Sequence, residues 1–268
     1  MQPGIYPDLA DADYRATDAV SVSTLKRFAE APAKAHVSRP DTDAMRAGRV
    51  IHTAVLEAWS FDARYERTEL DRRGTKAWQE EEAAALSAGR QLLKAGEWQQ
   101  AAAIRDAVLA HPTARELLAP GLEAEASIFW TDRDTGLACR ARADGIRRAD
   151  RIVVDVKTTV DASPEEFSRG AGKWRHHWQE AFYRAGLAAA PGGFVADRFV
   201  FIAVEREPPH LIGLYELSPS AVLQGEREVM AALAEYAECK RAGVWPGYAE
   251  QVLMIDLPAW AMAEEAVA

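Results

Sequence analysis

Apolar positions follow two different periods along this chain of 268 residues. Up to about residue 118 they recur three and four apart, the spacing of one helix face; from Glu123 onward several short runs alternate, as half-buried strands do. In the first part, "SVSTLKRFAEAPAKAHV" offers Ser21 or Ser23 as the cap of a short helix that Pro32 interrupts or restarts. "TDAMRAGRVIHTAVLEAW" predicts an amphipathic helix with Met45, Ile51, Val55, Leu56 and Trp59 on its apolar stripe. Residues 75–118 read as helical, with breaks near Gly89, Gly96 and Pro112.

In the second part "EASIFWTD" and "GLACRARADG" form two strands, and the "RDTG" between them supplies turn chemistry for a hairpin. "RIVVDVKTT" is a third strand. "WRHHWQEAFYRAGLAAA" is a helix stopped by Pro191 and Gly192, and "RFVFIAVE" and "HLIGLYEL" are strands joined by "REPP". The last long helix, "SPSAVLQGEREVMAALAEYAECKRAG", has Ser218 as N-cap and Pro219 as its first residue. The order predicts an α/β fold with a mixed central β-sheet flanked by helices and an α-helical N-terminal elaboration. No internal repeat or low-complexity linker divides it, so residues 1–268 are expected to form a single domain, the elaboration covering about 20–118 and the core about 119–248.

Composition changes this picture little. At 49% hydrophobic and 27% charged the chain can bury a full core. No apolar run approaches the ~18–20 residues that span a bilayer, and "MQPGIYPDLADADY" lacks the basic and apolar regions of a signal peptide, so a cytoplasmic protein with no membrane partner is expected. Cys139 and Cys239 are too few and too far apart for a thiolate metal cluster. The net charge of −9 argues against a chain that coats nucleic acid, but leaves open the field of a single cleft.

The candidate chemistry sits in "VVDVKTT". Strand alternation puts Val153, Asp155 and Lys157 on one face and Val154 and Val156 on the other; in "CRARADG" it groups Arg140, Arg142 and Asp144. If the two strands are neighbours, Asp144 and Asp155 can face one another, and two close carboxylates repel unless a cation lies between them. A hard divalent ion such as Mg²⁺ suits that place. Lys157 adds an ammonium that can orient water and oppose charge developing on a phosphate oxygen. An isolated D-x-K is more often a salt-bridged pair on a strand edge; what changes the reading is its company. Gly48 and His52 lie one turn apart in "GRVIHTAVLE", and Gln179 and Tyr183 lie four apart in "QEAFY".

Asp144 followed by D-V-K, with G-x-x-x-H before it and Q-x-x-x-Y after it, resembles the active site of the RecB-like branch of the PD-(D/E)xK nuclease superfamily. Together with "VSVSTLKRFAEAPAKAHV", "EASIFWTDRDTGLACRARADG" and "FIAVEREPP", the motifs resemble the phage-type exonuclease VIII (RecE-like) nuclease domain over about residues 5–248. One departure is Ala143, where that group often has proline before the aspartate. The resemblance implies that His52, Asp144, Asp155 and the Val156 carbonyl hold the metal and that Lys157 orients or activates the attacking water. It further implies that Glu125 binds a second metal or its water, and that Gln179 and Tyr183 contact the DNA backbone or steady Lys157. The same resemblance leaves the role of Glu57 open.

Arg140, Arg142, Arg147, Arg148 and Arg151, followed by Lys173 and Arg175 in "KWRHHW", are candidates for a basic rim that holds phosphates around an acidic centre. Trp174 and Trp178 are expected in the core, stacking on bases being the alternative; Trp78 raises the same choice in a lid or wedge over residues 75–118. The activity implied is a Mg²⁺-dependent exonuclease, with Mn²⁺ substituting, that degrades one strand of linear duplex DNA 5′ to 3′ and leaves a single-stranded tail for recombination. The implied partners are double-stranded DNA ends, a single-strand annealing protein and further copies of the chain in a ring. An endonuclease or repair nuclease of the same fold, or a non-catalytic DNA-binding module, are the alternatives.

Overall fold

The structure, a computed structural model, describes residues 1–37 and 42–258. The chain begins with β1 (Gly4–Tyr6), α1 (Asp11–Ala16), α2 (Val22–Phe28) and a 3-10 turn (Pro32–Lys34). There follow α3 (Asp43–Leu56), α4 (Phe61–Arg64), β2 (Tyr65–Thr68), α5 (Lys76–Ser87), β3 (Gln91–Lys94), α6 (Ala95–Ala110) and α7 (Pro112–Leu117). The second half runs β4 (Glu123–Thr131), β5 (Ala138–Arg147), β6 (Ile152–Thr159), α8 (Pro164–Lys173), α9 (His176–Ala189), β7 (Arg198–Glu205), β8 (Ile212–Tyr215) and α10 (Pro219–Ala242).

The main sheet has the order β1-β4-β5-β6-β7-β8, with β6 and β7 parallel and every other neighbouring pair antiparallel. It is therefore the mixed sheet flanked by helices that the patterning predicts. One face packs Leu25 and Phe28 of α2, Phe182 and Leu187 of α9 and Val229 and Leu233 of α10 against Ile128, Ala141, Val153, Phe199 and Phe201. The other packs Ile51 and Val55 of α3 and Ile104 and Val108 of α6 against Val154, Val156, Val200, Ile202 and Val204. Burial of these side chains on both faces supplies the main driving force for folding, and it explains why β6 and β7 read as nearly continuous apolar runs.

Local signals set the boundaries. Ser21, Thr42, Thr75, Ser163 and Ser218 each accept a hydrogen bond from an amide in the first turn of the helix that follows. Gly243, at φ 68, closes α10 in the left-handed conformation that glycine adopts without strain. Where α10 crosses α9, Gly225 lies so close that a Cβ there would stand 2.3 Å from the His177 carbonyl oxygen.

Several sequence expectations need correction. The helix through His52 stops at Leu56, so Trp59 lies beyond it and is 84% exposed rather than on the apolar stripe. Gly96 does not break a helix; it sits in the first turn of α6. Residues 75–118 are not all helical, because Gln91–Lys94 pairs with Tyr65–Thr68 as a small parallel sheet. These strands are four residues each, too short for an alternation to stand out. The edge strand β1 and helix α8 are likewise additions to the predicted elements. Trp78 and Trp178 are core residues, whereas Trp174 is 61% exposed, against the expectation that both tryptophans at the α9 entry are buried.

Gly225→Ala is expected to force α9 and α10 apart and destabilise the protein by roughly 1–3 kcal/mol, as overpacking does. Gly48→Ala is the contrast: a Cβ there meets nothing within 4 Å, and removing a glycine from a helix interior should stabilise by up to about 1 kcal/mol. Urea unfolding midpoints of the two variants would move in opposite directions.

Candidate active site

The site lies where two central strands part. The β5–β6 ladder pairs Arg147 with Ile152, Ile146 with Val153 and Gly145 with Val154, and stops there. The next residue on β5, Asp144, turns its carboxylate into the fork, where Oδ2 accepts the Val156 amide at 2.7 Å. A side chain thus takes over a backbone ladder bond and satisfies an amide that the fork would otherwise leave buried and unpaired. Asp155, on β6, faces the α9 side; Gln179 of α9 donates to its Oδ2, and the Lys157 ammonium pairs with its Oδ1.

The neighbouring pair β4–β5 is bent at the same level. Ala124 pairs with Gly145 and Ala126 with Ala143, so Glu125 and Asp144 lie opposite one another. Ala124 packs against the α3–α6 core while Ala126, two residues on, belongs to the α9 core; regular alternation would put both on one face. Glu125 has φ 51, which accounts for the inversion. On β5 the inversion falls at Asp144 and Gly145, since Ala143 and Ile146 share the α9 core. The two bends bring both carboxylates toward His52 of α3, whose Nδ1 is 3.5 Å from Asp144 Oδ2.

One donor atom from each of His52, Glu125 and Asp144 lies within 4.8 Å of the other two. Two carboxylates and an imidazole suit a divalent cation, and the electrostatics call for one. Burial, and then the charge of Asp144, push the Glu125 carboxyl up to about 7, with His52 and Arg142 opposing. Burial likewise lifts Asp155 to about 6, against the pull of Lys157 and with the push of Asp144. Carboxyls that hold protons this far up the pH scale carry repulsion and desolvation that a bound cation would relieve. The donor chemistry therefore fits a divalent metal.

Glu125, expected to bind a second metal or its water, has a donor atom near those of His52 and Asp144, and Asp155 contacts Lys157 and Gln179. Val156 makes its visible contact through its amide. Tyr183 stands one turn along α9 from Gln179 and in the field of Asp155, so the two α9 side chains lie on the Asp155 side of the helix. Burial holds the Tyr183 hydroxyl protonated, well above the usual range. Glu57 is tied in both carboxylate oxygens by Arg64. A cleft of about 1410 Å³ opens onto His52, Glu125, Asp144 and Tyr183, with Trp59 and Arg46 on its rim.

The expected rim of free arginines is instead a set of clasps. Arg140 donates to the Tyr14, Arg15 and Thr17 carbonyls, and Arg142 to Ser127, Leu9 and Asp11. Arg147 binds Asp150 and the Ala119 carbonyl, Arg148 grips Glu123 with two bonds, and Arg151 holds Asp197 and the Val195 carbonyl. Lys173 lies 4.9 Å over the exposed Trp174 ring. Two residues passed over in the sequence approach the site: Lys26 of α2 and His176 at the start of α9, both in the field of Lys157. In the sequence Lys26 looks like any polar residue of an amphipathic helix, and no local signal sets it apart.

The family described as "PDDEXK-like domain of unknown function (DUF3799)" matches residues 21–258. Among solved structures, one from Eubacterium rectale, described as a "Putative exonuclease", superposes with a TM-score of 0.62 over 94% of this chain and 96% of its own, at 13% sequence identity. At that identity the likeness concerns the fold. No curated protein matches the chain.

The raised carboxyls set a pH dependence. Asp155 and Glu125 hold protons in the folded state to about 6 and about 7, above their unfolded values, so between these limits the folded state binds more protons than the unfolded one. Their contribution is then most favourable at low pH and is lost as pH rises from about 4 through these values. In EDTA the urea midpoint of Asp155→Asn should depend less on pH across that window than the wild type's. Added divalent ion should stabilise the wild type more at pH 8 than at pH 5; equal stabilisation at both would count against a metal held by these carboxylates.

Proposed function

The chain belongs to the PDDEXK-like family (DUF3799), and on that premise we propose that it is a metal-dependent deoxyribonuclease that degrades one strand of linear duplex DNA. The observation that carries the reading is the fork itself: a His52–Glu125–Asp144 donor group beside a buried Asp155–Lys157 pair. A divalent metal, Mg²⁺ with Mn²⁺ able to replace it, supplies positive charge that acidifies water and offsets charge on the reacting phosphate.

The protein's own residues do the rest. Asp144, fixed by the Val156 amide, and His52, on the buried face of α3, give the metal two ligands on separate rigid elements. Lys157 orients the attacking water and hydrogen-bonds the phosphate oxygen on which charge grows; its pairing with Asp155 holds it in place. Gln179 holds the second oxygen of Asp155, and Tyr183, protonated, donates to Gln179 or to the DNA backbone. Position matters here because phosphoryl transfer depends on alignment of the water with the bond it displaces.

The finer statements rest on the RecE-like resemblance of the motifs: 5′ to 3′ polarity, a single-stranded product for recombination, a ring of identical subunits and an annealing protein as partner. The arginine clasps favour a DNA path built from other residues, and the cleft lining with Trp59 and Arg46 supplies stacking and polar groups for it.

The test is digestion of linear duplex DNA labelled separately at its 5′ and 3′ ends, with Mg²⁺ or EDTA. Metal-dependent release of 5′-labelled nucleotides is expected, reduced by roughly 10²–10⁴-fold in Lys157→Ala, the range for loss of a positioned proton-transfer group, and abolished in Asp155→Ala. Cleavage of covalently closed circles would favour an endonuclease. Intact DNA bound by folded protein would leave a non-catalytic module.

A further inference from the structure

Around Lys157, four residues of α2, β6 and the α8–α9 junction come together. Lys26 comes from α2, Lys157 from β6, and Arg175 and His176 from the junction of α8 and α9. His176 stands 5.7 Å from the Phe201 ring and Lys157 5.9 Å from the same ring, so the two share one aromatic wall. Arg175 lies 4.5 Å from the Trp178 ring. The Lys26 ammonium interacts electrostatically with Lys157, Asp155 and Arg175.

The arrangement is costly as it stands. Arg175 adopts φ 53, a left-handed conformation that non-glycine residues avoid. Its Nη1 and the Nδ1 of His176 are buried with no hydrogen-bond partner among the described residues. Burial, followed by the neighbouring cations, brings Lys26 down to about 8 and His176 to about 3. Lys26, Lys157 and Arg175 bring three positive charges together, and Asp155, which pairs with Lys157 and lies in the field of Lys26, offsets one, so these four groups carry an excess of two. Unpaired buried polar atoms and uncompensated like charges are both unfavourable unless a ligand completes them.

We propose that this recess is an anion subsite that takes a terminal phosphomonoester of the strand being cut. A phosphomonoester carries close to two negative charges and three acceptor oxygens, which matches the excess and the waiting donors; an internal phosphodiester, with one charge, leaves half of the excess uncompensated. Lys157 then belongs to both halves of the site, facing the scissile phosphate on one side and the strand end on the other. The inference rests on the nuclease reading, and it makes the enzyme count from the end of its substrate.

The test separates the two. Binding of a short single-stranded oligonucleotide carrying a 5′-phosphate, a 3′-phosphate or only hydroxyl ends is measured in EDTA, where no cleavage occurs, with inorganic phosphate as competitor. A terminal phosphate should tighten binding by roughly tenfold or more, corresponding to one charge-assisted contact, and inorganic phosphate should reverse the gain. Lys26→Ala and Arg175→Ala should erase the difference between phosphate and hydroxyl ends, while Lys26→Arg, which keeps charge and packing, restores it. Equal binding of all three oligonucleotides by wild-type protein, or a phosphate preference that survives in both alanine variants, overturns the subsite. A phosphate preference in a protein that never cleaves DNA with Mg²⁺ supports the subsite and overturns the nuclease reading instead.

Discussion

The structure turns on one hydrogen bond, from the Val156 amide to Asp144 Oδ2. Two neighbouring strands cannot diverge inside a sheet without leaving ladder groups unpaired in a buried place, and an unpaired buried amide costs as much as a lost hydrogen bond. The Asp144 carboxylate removes that cost and allows β5 and β6 to separate after Gly145–Val154. The separation leaves the Asp144 carboxylate beside His52 and Glu125. One acidic side chain thus serves as a backbone substitute and as a donor atom of the His52–Glu125–Asp144 group.

The cost reappears as electrostatics. With Asp144 fixed by the ladder, Glu125 is held opposite it and Asp155 is buried beside it, and each carboxyl rises well above its ordinary range. Three countercharges moderate this: His52 from α3, Lys157 from the same strand as Asp155, and Arg142 from β5. Their elements are held by the two cores on either face of the sheet, so the site is rigid because the sheet is sandwiched. A polar network of this kind stabilises little by itself, and its value lies in fixing the position of each charge.

The same sandwich explains the arginines. An acidic protein with many arginines beside an acidic centre suggests a basic rim, yet Arg140, Arg142, Arg147, Arg148 and Arg151 hold down the N-terminal segment, the α7–β4 connection and the loops before β7. Guanidinium groups reach several carbonyls at once and so fasten irregular backbone where no ladder exists. Arg142 alone of these arginines also reaches the site carboxylates, and Lys157 is joined by Lys26 and Arg175, which lie in no comparable motif.

The sequence by itself determined the elements with a strong period and the motif residues within them. β4 to β8, α9 and α10 follow from hydrophobic patterning, and Asp144, Asp155, Lys157, His52, Gln179 and Tyr183 stand out through motifs that resemble those of a nuclease family, because such signals are local in the chain. Only the tertiary structure decided which carboxylates meet, since the inversions at Glu125 and Asp144 come from a left-handed residue and a fork that no alternation rule anticipates. It alone decided that Trp59 lies outside its helix, that the arginines are clasps, and that Lys26 and His176 face Lys157. Those contacts join residues up to 133 positions apart, and what brings them together is the packing of two helix layers on one sheet.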